Sequence, residues 1–558
     1  MQPEDEIGDN ARFLEHLARV EERLARIEER LGLEPPSPES EPPVQGNAGQ
    51  AAGGKASERD QDELEFEVGQ TWFAKAGIVV LALGMAFLLT FPYANLPAVA
   101  PALFGYVLAG GLLLVARIWR TSFDLVSRYL RGAGMALLFF TTLRLFYFGS
   151  EPVLEASSVP GISLLVAILA VNMAVALRRD SPYLFGLALT TGFATALAVG
   201  STWFVLTLSV LLCVLTVYAS IRYDWQWLLL SCALLIYPAH LIWAVNNPLL
   251  GNTIGFVASP HISVYFILGF AIIIATGILF RHNRERERFP AIGASFLNGG
   301  ACYLVFLLHT TGAFASHIVP DHLLASLVFL VLAVVFWMKE ESRYSTFAYA
   351  MLGYLALSVA IVRSFEAPGV FVWLSVQSIL VVATAIWFRS RFIVVANFVI
   401  FLLIVAGYIV VAKEESGISL GFGLVALASA RILNWKQDRL ELKTEMMRNA
   451  YLALAFAVFP YALYHLVPRA YVSLSWVGIA VFYYMMNLLV RKQKYRWMGH
   501  LTLILTVLYV VIIGIAQLEP AYRIISFLVL GTVLLVVSLV FTRIRNRQRS
   551  GQESGKTA

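Results

Sequence analysis

The sequence predicts an all-α fold, a polytopic α-helical membrane protein with about eighteen transmembrane helices and a short N-terminal coiled coil. Of its 558 residues, 59% are hydrophobic and 14% are charged, and the mean hydropathy is +0.72. A soluble domain carries about 25% charged residues. The apolar residues form continuous runs that match the length a helix needs to cross about 30 Å of hydrocarbon. The runs do not alternate with period two, so strands cannot explain them.

Each predicted span is one such apolar run, and the spans together form a transmembrane domain over residues 72–541. The eighteen spans are approximately 72–91, 99–118, 131–148, 159–177, 183–199, 203–221, 225–244, 263–280, 289–308, 322–338, 345–362, 370–388, 392–411, 418–433, 449–466, 473–490, 497–515 and 523–541.

Basic residues support this count independently, because cytoplasmic loops carry an excess of Lys and Arg. After residue 75, the loops that follow even-numbered spans hold, with the C-terminal tail, 29 Lys and Arg. The loops that follow odd-numbered spans hold 5. A missed span would reverse the alternation from that point onward. We therefore expect a bacterial inner-membrane protein with both termini in the cytoplasm.

Three segments flank the spans. Residues 1–33 are acidic and carry leucine and isoleucine at heptad spacing between positions 14 and 31, which predicts a cytoplasmic coiled coil that pairs with a second copy or a protein partner through residues 13–31. The alternative is a lone amphipathic helix on the membrane surface. Residues 34–71 are rich in Pro, Gly, Ser and Glu, which predicts a disordered tether. Residues 542–558 form a basic cytoplasmic tail.

The charge distribution indicates membrane lipids as partners and excludes a nucleic-acid surface. Residues 1–67 carry a net charge of −11, and the rest of the chain carries +17. The positive charge therefore belongs to the loops between spans, where it faces anionic lipid.

Four neutral polar residues lie at mid-depth in predicted spans: Asn298, Gln377, Thr190 and Thr191. One interpretation is hydrogen bonding and close packing between helices. The other is that Asn298-Gly299-Gly300 and Thr190-Thr191-Gly192 interrupt two helices around a cavity, as broken helices do in transporters. Under the second interpretation these residues line a path for a solute.

The densest polar cluster on the outer face contains His309, His317, Asp321 and His322. A metal site needs three or four converging ligands, and this spacing matches no zinc motif. The three cysteines lie inside apolar runs without a CxxC motif, which indicates small packing residues. The sequence therefore predicts no metal and no cofactor.

Catalysis is not supported by the sequence either. Enzymes that transfer sugars or lipids need a positioned carboxylate or base, and the outer carboxylates are scattered over separate loops. The chain contains no nucleophile elbow, phosphate-binding glycine loop or HExxH motif.

Several stretches resemble a bacterial family of predicted membrane proteins of unknown function, with an N-terminal coiled coil followed by many spans. They are residues 69–89 (GQTWFAKAGIVVLALGMAFLL), 131–141 (RGAGMALLFFT), 178–195 (RRDSPYLFGLALTTGFAT) and 522–543 (YRIISFLVLGTVLLVVSLVFTR). Members of that family often carry a Lys and an Asp five residues apart in the penultimate helix, where this sequence has Tyr509 and Gly514. The resemblance implies the topology and no activity.

Two functional hypotheses remain open. The first is a transporter or handler of a neutral or amphipathic envelope solute, such as a lipid or glycan precursor, because so many spans exceed what anchoring needs. The second is a membrane scaffold or assembly protein that recruits partners through the coiled coil. A shared cavity around Asn298, Gln377 and Thr190 would favour the first hypothesis, and tight helix contacts would favour the second.

Overall fold

The chain divides into two compact units, residues 1–81 and 82–558. A computed structural model describes residues 84, 97, 99–121, 124–147, 152–280, 289–339, 343–411, 417–435, 444–490, 493–514, 522 and 524–537. All of these belong to the second unit. The predicted coiled coil, tether, first span and C-terminal tail lie outside the described residues.

Seventeen α-helices occupy the described ranges. They are α1 (Ala100–Ile118), α2 (Asp124–Tyr147), α3 (Val159–Arg178), α4 (Pro182–Val199), α5 (Thr202–Tyr223), α6 (Trp227–Ala244), α7 (Ser263–Leu279), α8 (Phe289–Ala313), α9 (Ile318–Lys339), α10 (Arg343–Ser364), α11 (Gly369–Trp387), α12 (Arg391–Val411), α13 (Ile418–Trp435), α14 (Thr444–Leu466), α15 (Val472–Val490), α16 (Gln493–Tyr509) and α17 (Ile524–Val537). Within the same ranges the chain contains no β-strand.

These helices coincide one for one with predicted spans 2 to 18, so the all-α polytopic fold is confirmed. Thirteen helices of the described part are long and apolar enough to cross a membrane, and α7, α13 and α17 are shorter apolar helices. The remaining helix, α2, contains Arg131 and Arg144 within its apolar part. The total of eighteen spans stays a prediction, because the first one lies outside the described residues.

The largest boundary difference is at the start of α2, which begins at Asp124 and not near residue 131. Hydropathy placed the start at Arg131, where the apolar run begins, but the helix extends back through polar residues to Asp124. Asp124 pairs with Arg128 one turn later, and the Ser127 hydroxyl donates a hydrogen bond to the Ala116 carbonyl of α1. Such local bonds satisfy polar groups that would otherwise end the helix.

Helix ends carry the residues that the chain geometry requires. The Ser158 and Ser181 hydroxyls accept hydrogen bonds from backbone amides in the first turns of α3 and α4, over 3.3 and 3.4 Å. This is the usual role of a serine N-cap. At the far end of α4, Gly200 adopts a φ of +69°, a left-handed conformation that glycine takes without strain. The chain can therefore turn at once into α5.

Neighbouring helices make their most extensive contacts in four hairpins: α1–α2, α9–α10, α13–α14 and α15–α16. Each hairpin is closed by one of the basic loops of the sequence. The predicted spans therefore pack as antiparallel pairs that all close at the end of the bundle where the positive charge lies. We call this end the basic end.

The two largest apolar clusters of the described helices form separate cores of very different size. The larger core runs from α2 to α14 and includes Phe185, Phe270, Phe329 and Phe401. The smaller core joins α15, α16 and α17 around Trp476, Leu503 and Leu530. Contacts between α14 and α15 are sparse compared with those inside either hairpin, so the two cores meet along a loosely packed boundary.

Candidate functional site

Asn298 ties four helices together at the centre of the larger core. Its Oδ1 accepts a hydrogen bond from the Tyr237 hydroxyl of α6 over 2.6 Å. Its Nδ2 lies 2.9 Å from the Ala271 carbonyl of α7 and 3.0 Å from the Tyr349 hydroxyl of α10. The side chain is 0% exposed. Because every polar atom of the amide has a protein partner, Asn298 forms a tight helix contact.

Gln377 forms a second contact of this kind, between α10 and α11. Its Nε2 donates to the Tyr354 carbonyl over 2.7 Å, and its Oε1 accepts from the Ser358 hydroxyl over 3.1 Å. Thr190 and Thr191 bond within α4, to the carbonyls of Gly186 and Ala188. The four residues predicted to line a cavity therefore lie on three different helices and make separate sets of contacts.

The glycines beside these residues do not interrupt their helices. Both α4 and α8 continue through Gly192 and Gly299 without a break. A Cβ at Gly299 would lie 2.6 Å from a Leu352 methyl, and one at Gly192 would lie 2.8 Å from a Leu212 methyl. Each glycine thus admits a leucine of a neighbouring helix, a common role of small residues in membranes. The geometry favours the packing interpretation.

The polar cluster that the sequence predicts at the outer face is built around a buried carboxylate, Asp321, in the first turn of α9. Its Oδ2 lies 2.9 Å from His261 Nε2, and its Oδ1 accepts from the Tyr265 hydroxyl over 3.1 Å. The side chain of Asp321 is 0% exposed and that of His261 is 28% exposed. Two partners and the positive end of a helix dipole stabilise this carboxylate. The sequence did not indicate that Asp321 pairs with His261 and Tyr265, which lie 60 and 56 positions away.

The histidines of the predicted cluster separate around this carboxylate. His317 packs against His261 with ring centroids 4.4 Å apart. His309 bonds to the Val257 carbonyl over 3.3 Å and lies 5.7 Å from His240. His322 bonds to the Ile318 carbonyl, and its ring packs on Phe306. The structure brings His317 and Asp321 together through His261 and holds His309 and His322 in other contacts.

These groups do not form a metal centre. Among the residues that the structure describes, no three His, Cys, Asp or Glu side chains are arranged to hold a metal ion. Cys213, Cys232 and Cys302 are free and buried. The cluster around Asp321 is best described as a polar anchor between the α6–α7 loop and α9.

A cleft opens where the two cores meet, between α13 and α14 on one side and α15 and α16 on the other. Its volume is about 470 Å³. One wall is apolar and aromatic and includes Leu427, Leu452, Phe482, Tyr483 and Met486. These side chains lie within membrane-spanning helices, so the wall can accommodate hydrocarbon.

The other end of the cleft is polar and lies at the basic end of the bundle. Arg448 makes two polar contacts there: its Nη1 donates to Asn434 Oδ1 over 2.6 Å, and its Nη2 lies 3.0 Å from Glu445 Oε1. Arg431 and Lys494 also line the cleft. Three basic groups and one carboxylate leave an excess of two positive charges.

A nearby groove is also apolar but has no charged side chains, so it lacks the combination of features seen in the cleft. It lies between α12, α13 and α14, has a volume of about 290 Å³ and is lined by residues such as Leu402, Phe422 and Leu454, with no charged side chain. Only the larger of the two combines an apolar wall with fixed positive charges.

The helices and the cleft define a multi-pass α-helical membrane protein. Residues 69–470 match the family of predicted membrane proteins DUF2339, and the chain belongs to that family. The resemblance seen in the sequence is therefore confirmed. Neither a curated protein nor a solved structure matches the chain. The family description names no substrate, and α15 and α16, which complete the cleft, follow the matched residues.

Proposed function

We propose that the protein binds and handles an amphipathic anion of the membrane, a lipid or lipid-linked precursor with a phosphate-bearing headgroup. The cleft between the two cores is the observation that carries this proposal. It offers hydrocarbon-compatible side chains and fixed cations in one continuous volume.

The side-chain chemistry supports a phosphate over a carboxylate or a neutral headgroup. Arginine presents a planar fork of donors that matches phosphate oxygens, and the Arg448 fork is already oriented by Asn434 and Glu445. The Arg448 side chain is only 12% exposed. A charge-assisted hydrogen bond at such a largely buried site is stronger than one in water. This refines the expected solute from neutral or amphipathic to amphipathic and anionic.

The leaflet follows from the basic end of the bundle. Positive loops face the cytoplasm in bacterial inner membranes, so we place the cleft mouth at the cytoplasmic leaflet, with both termini on that side. Anionic headgroups of that leaflet then reach Arg431, Arg448 and Lys494 directly, while their chains lie against Phe482 and Met486.

A second candidate function is supported by the centre of the larger core. Asn298 and Gln377 lie in tight contacts, which is the geometry expected of a membrane scaffold. Under that hypothesis, deletion of residues 1–62 abolishes function by removing the coiled coil. Under the lipid hypothesis, the same truncation leaves lipid binding by the purified protein unchanged.

The lipid proposal is tested by native mass spectrometry of the purified protein with added phosphate-bearing lipids. Substituting Arg431→Gln and Arg448→Gln together removes two charge-assisted contacts, each of about 1.5 kcal/mol or more. We expect the affinity to fall at least about tenfold. Arg222→Gln, at the basic end of α5 and outside the cleft, is the matched control. Equal affinities for the double variant and the control would refute the cleft as the binding site.

A further inference from the structure

We infer that the headgroup is a terminal phosphate, a monoester that carries about −1.5 to −2 charges at neutral pH, and not a phosphodiester, which carries one negative charge. This inference rests on the proposed function and names its substrate class: a lipid that ends in a phosphate monoester. The observation behind it is the way in which the cations at the cleft mouth are held.

The three cations that line the cleft belong to three helices and are linked through two asparagines. Asn434 lies three positions after Arg431 on α13, so both lie on one face of that helix. Asn434 accepts a 2.6 Å hydrogen bond from Arg448 Nη1 of α14. The next residue of α14, Asn449, accepts a 2.7 Å hydrogen bond from Lys494 Nζ of α16. These bonds gather the three positive charges around one volume.

Neutral partners hold two of these cations in place without cancelling their charge. Asn434 and Asn449 each contribute an amide oxygen, which orients a cation but carries no net charge. Among the described lining residues there is one carboxylate, Glu445, and its side chain is 72% exposed at the rim. Solvent weakens an ion pair of that kind. The described lining therefore keeps its excess of two positive charges.

A terminal phosphate matches this lining in charge and in its number of acceptors. It presents three strong acceptor oxygens, one for each cation, and its charge is close to the excess of the cleft. A phosphodiester has two terminal oxygens and one negative charge, so one positive charge of the cleft stays without a counter-charge. The cleft should therefore prefer a monoester over a diester.

Two lipids with identical acyl chains provide the test. The first is phosphatidic acid, and the second is phosphatidylmethanol, in which a methyl ester removes one ionisable oxygen and adds little volume. In native mass spectrometry of the full-length protein, we expect phosphatidic acid to bind about fivefold more tightly, the effect of one further ion pair. Lys494→Gln should reduce this preference to less than about twofold. Arg222→Gln, outside the cleft, is the matched control and should keep the preference.

The outcomes separate this inference from the proposed function. If both lipids bind equally well, or if Lys494→Gln keeps the full preference, the charge match at the cleft is wrong and the binding of phosphate-bearing lipids stands. If neither lipid binds the full-length protein, the proposed function fails and the inference fails with it. Soluble glycerol phosphate carries the same monoester without acyl chains. It should not compete at lipid concentrations, and effective competition by it would contradict a lipid substrate.

Discussion

At the scale of single residues, the buried polar groups that we predicted at mid-depth join helices to one another and do not line a path for a solute. Asn298 satisfies three neighbours in three other helices. Asparagine at mid-depth can be recognised in the sequence, but the partner of each amide atom cannot, because Tyr237 and Tyr349 lie 61 and 51 positions away. The pattern of apolar runs predicts how deep a residue lies in the membrane, but it does not identify the residues that it contacts.

Asn298→Ala tests this structural role. The substitution removes one buried hydrogen bond from each of two tyrosine hydroxyls and from a carbonyl, and we expect the free energy of unfolding to fall by about 2 kcal/mol. Unfolding in a detergent titration measures the change. Thr190→Ala, at an exposed position bonded only within its own helix, should change stability by less than about 0.5 kcal/mol. Similar values for both variants would contradict the role of Asn298.

Asp321 gives a second prediction at this scale. Substituting His261→Ala leaves the buried carboxylate with Tyr265 as its remaining hydrogen-bond partner among the described residues. We expect a loss of about 2 kcal/mol, below the 3–5 kcal/mol typical of fully buried pairs, because His261 is 28% exposed. In a double-mutant cycle with Asp321→Asn, the coupling energy should exceed about 1 kcal/mol. Additive effects would show that the 2.9 Å contact does not stabilise the fold.

At the scale of helices, continuous apolar runs were sufficient to predict α1 to α17. The sequence did not predict which neighbouring helices pack most closely. Glycines allow close packing, but Gly353 and Gly300 look equivalent in sequence. In the structure a Cβ at Gly353 would lie 2.8 Å from Leu330 Cγ and 3.2 Å from the Leu330 backbone nitrogen, whereas Gly300 has nothing within 4 Å. Of these two glycines, only Gly353 is required for the close approach of the α9 and α10 backbones.

Gly353→Leu should destabilise the α9–α10 hairpin, because the Leu330 backbone cannot move aside as a side chain can. Overpacking of this kind costs about 1–3 kcal/mol. Gly300→Leu places the same side chain on an exposed surface and should be neutral or stabilising, since glycine is a poor helix former. Thermal unfolding of both variants in detergent distinguishes them. A stable Gly353→Leu protein would contradict the close approach of the two helices.

The penultimate helix, α16, ends in the smaller core. Tyr509, where the resemblance implies a lysine, is 5% exposed and packs on Trp476 with ring centroids 5.1 Å apart. A π-helical segment, Val510–Gly514, follows it. An aromatic side chain of the smaller core thus fills the position at which the resemblance implies a charged group.

At the scale of the whole molecule, the cleft arises from the boundary between two cores. Its lining residues come from α13 to α16 and span positions 427 to 495. No local pattern marks them, because the apolar wall looks like any membrane-facing surface and the charges look like ordinary basic loops. The sequence could therefore predict the basic end of the bundle, but it could not predict the cleft that opens there.

The proposals for the cleft depend on which side of the membrane the basic end faces. Fusions of paired reporters measure this directly: alkaline phosphatase, which is active only outside the cytoplasm, and green fluorescent protein, which fluoresces inside it. After Arg286 and after Lys494 we expect fluorescence without phosphatase activity, and after Glu366 the reverse. An active phosphatase after Lys494 would place the cleft mouth outside the cell and contradict the account.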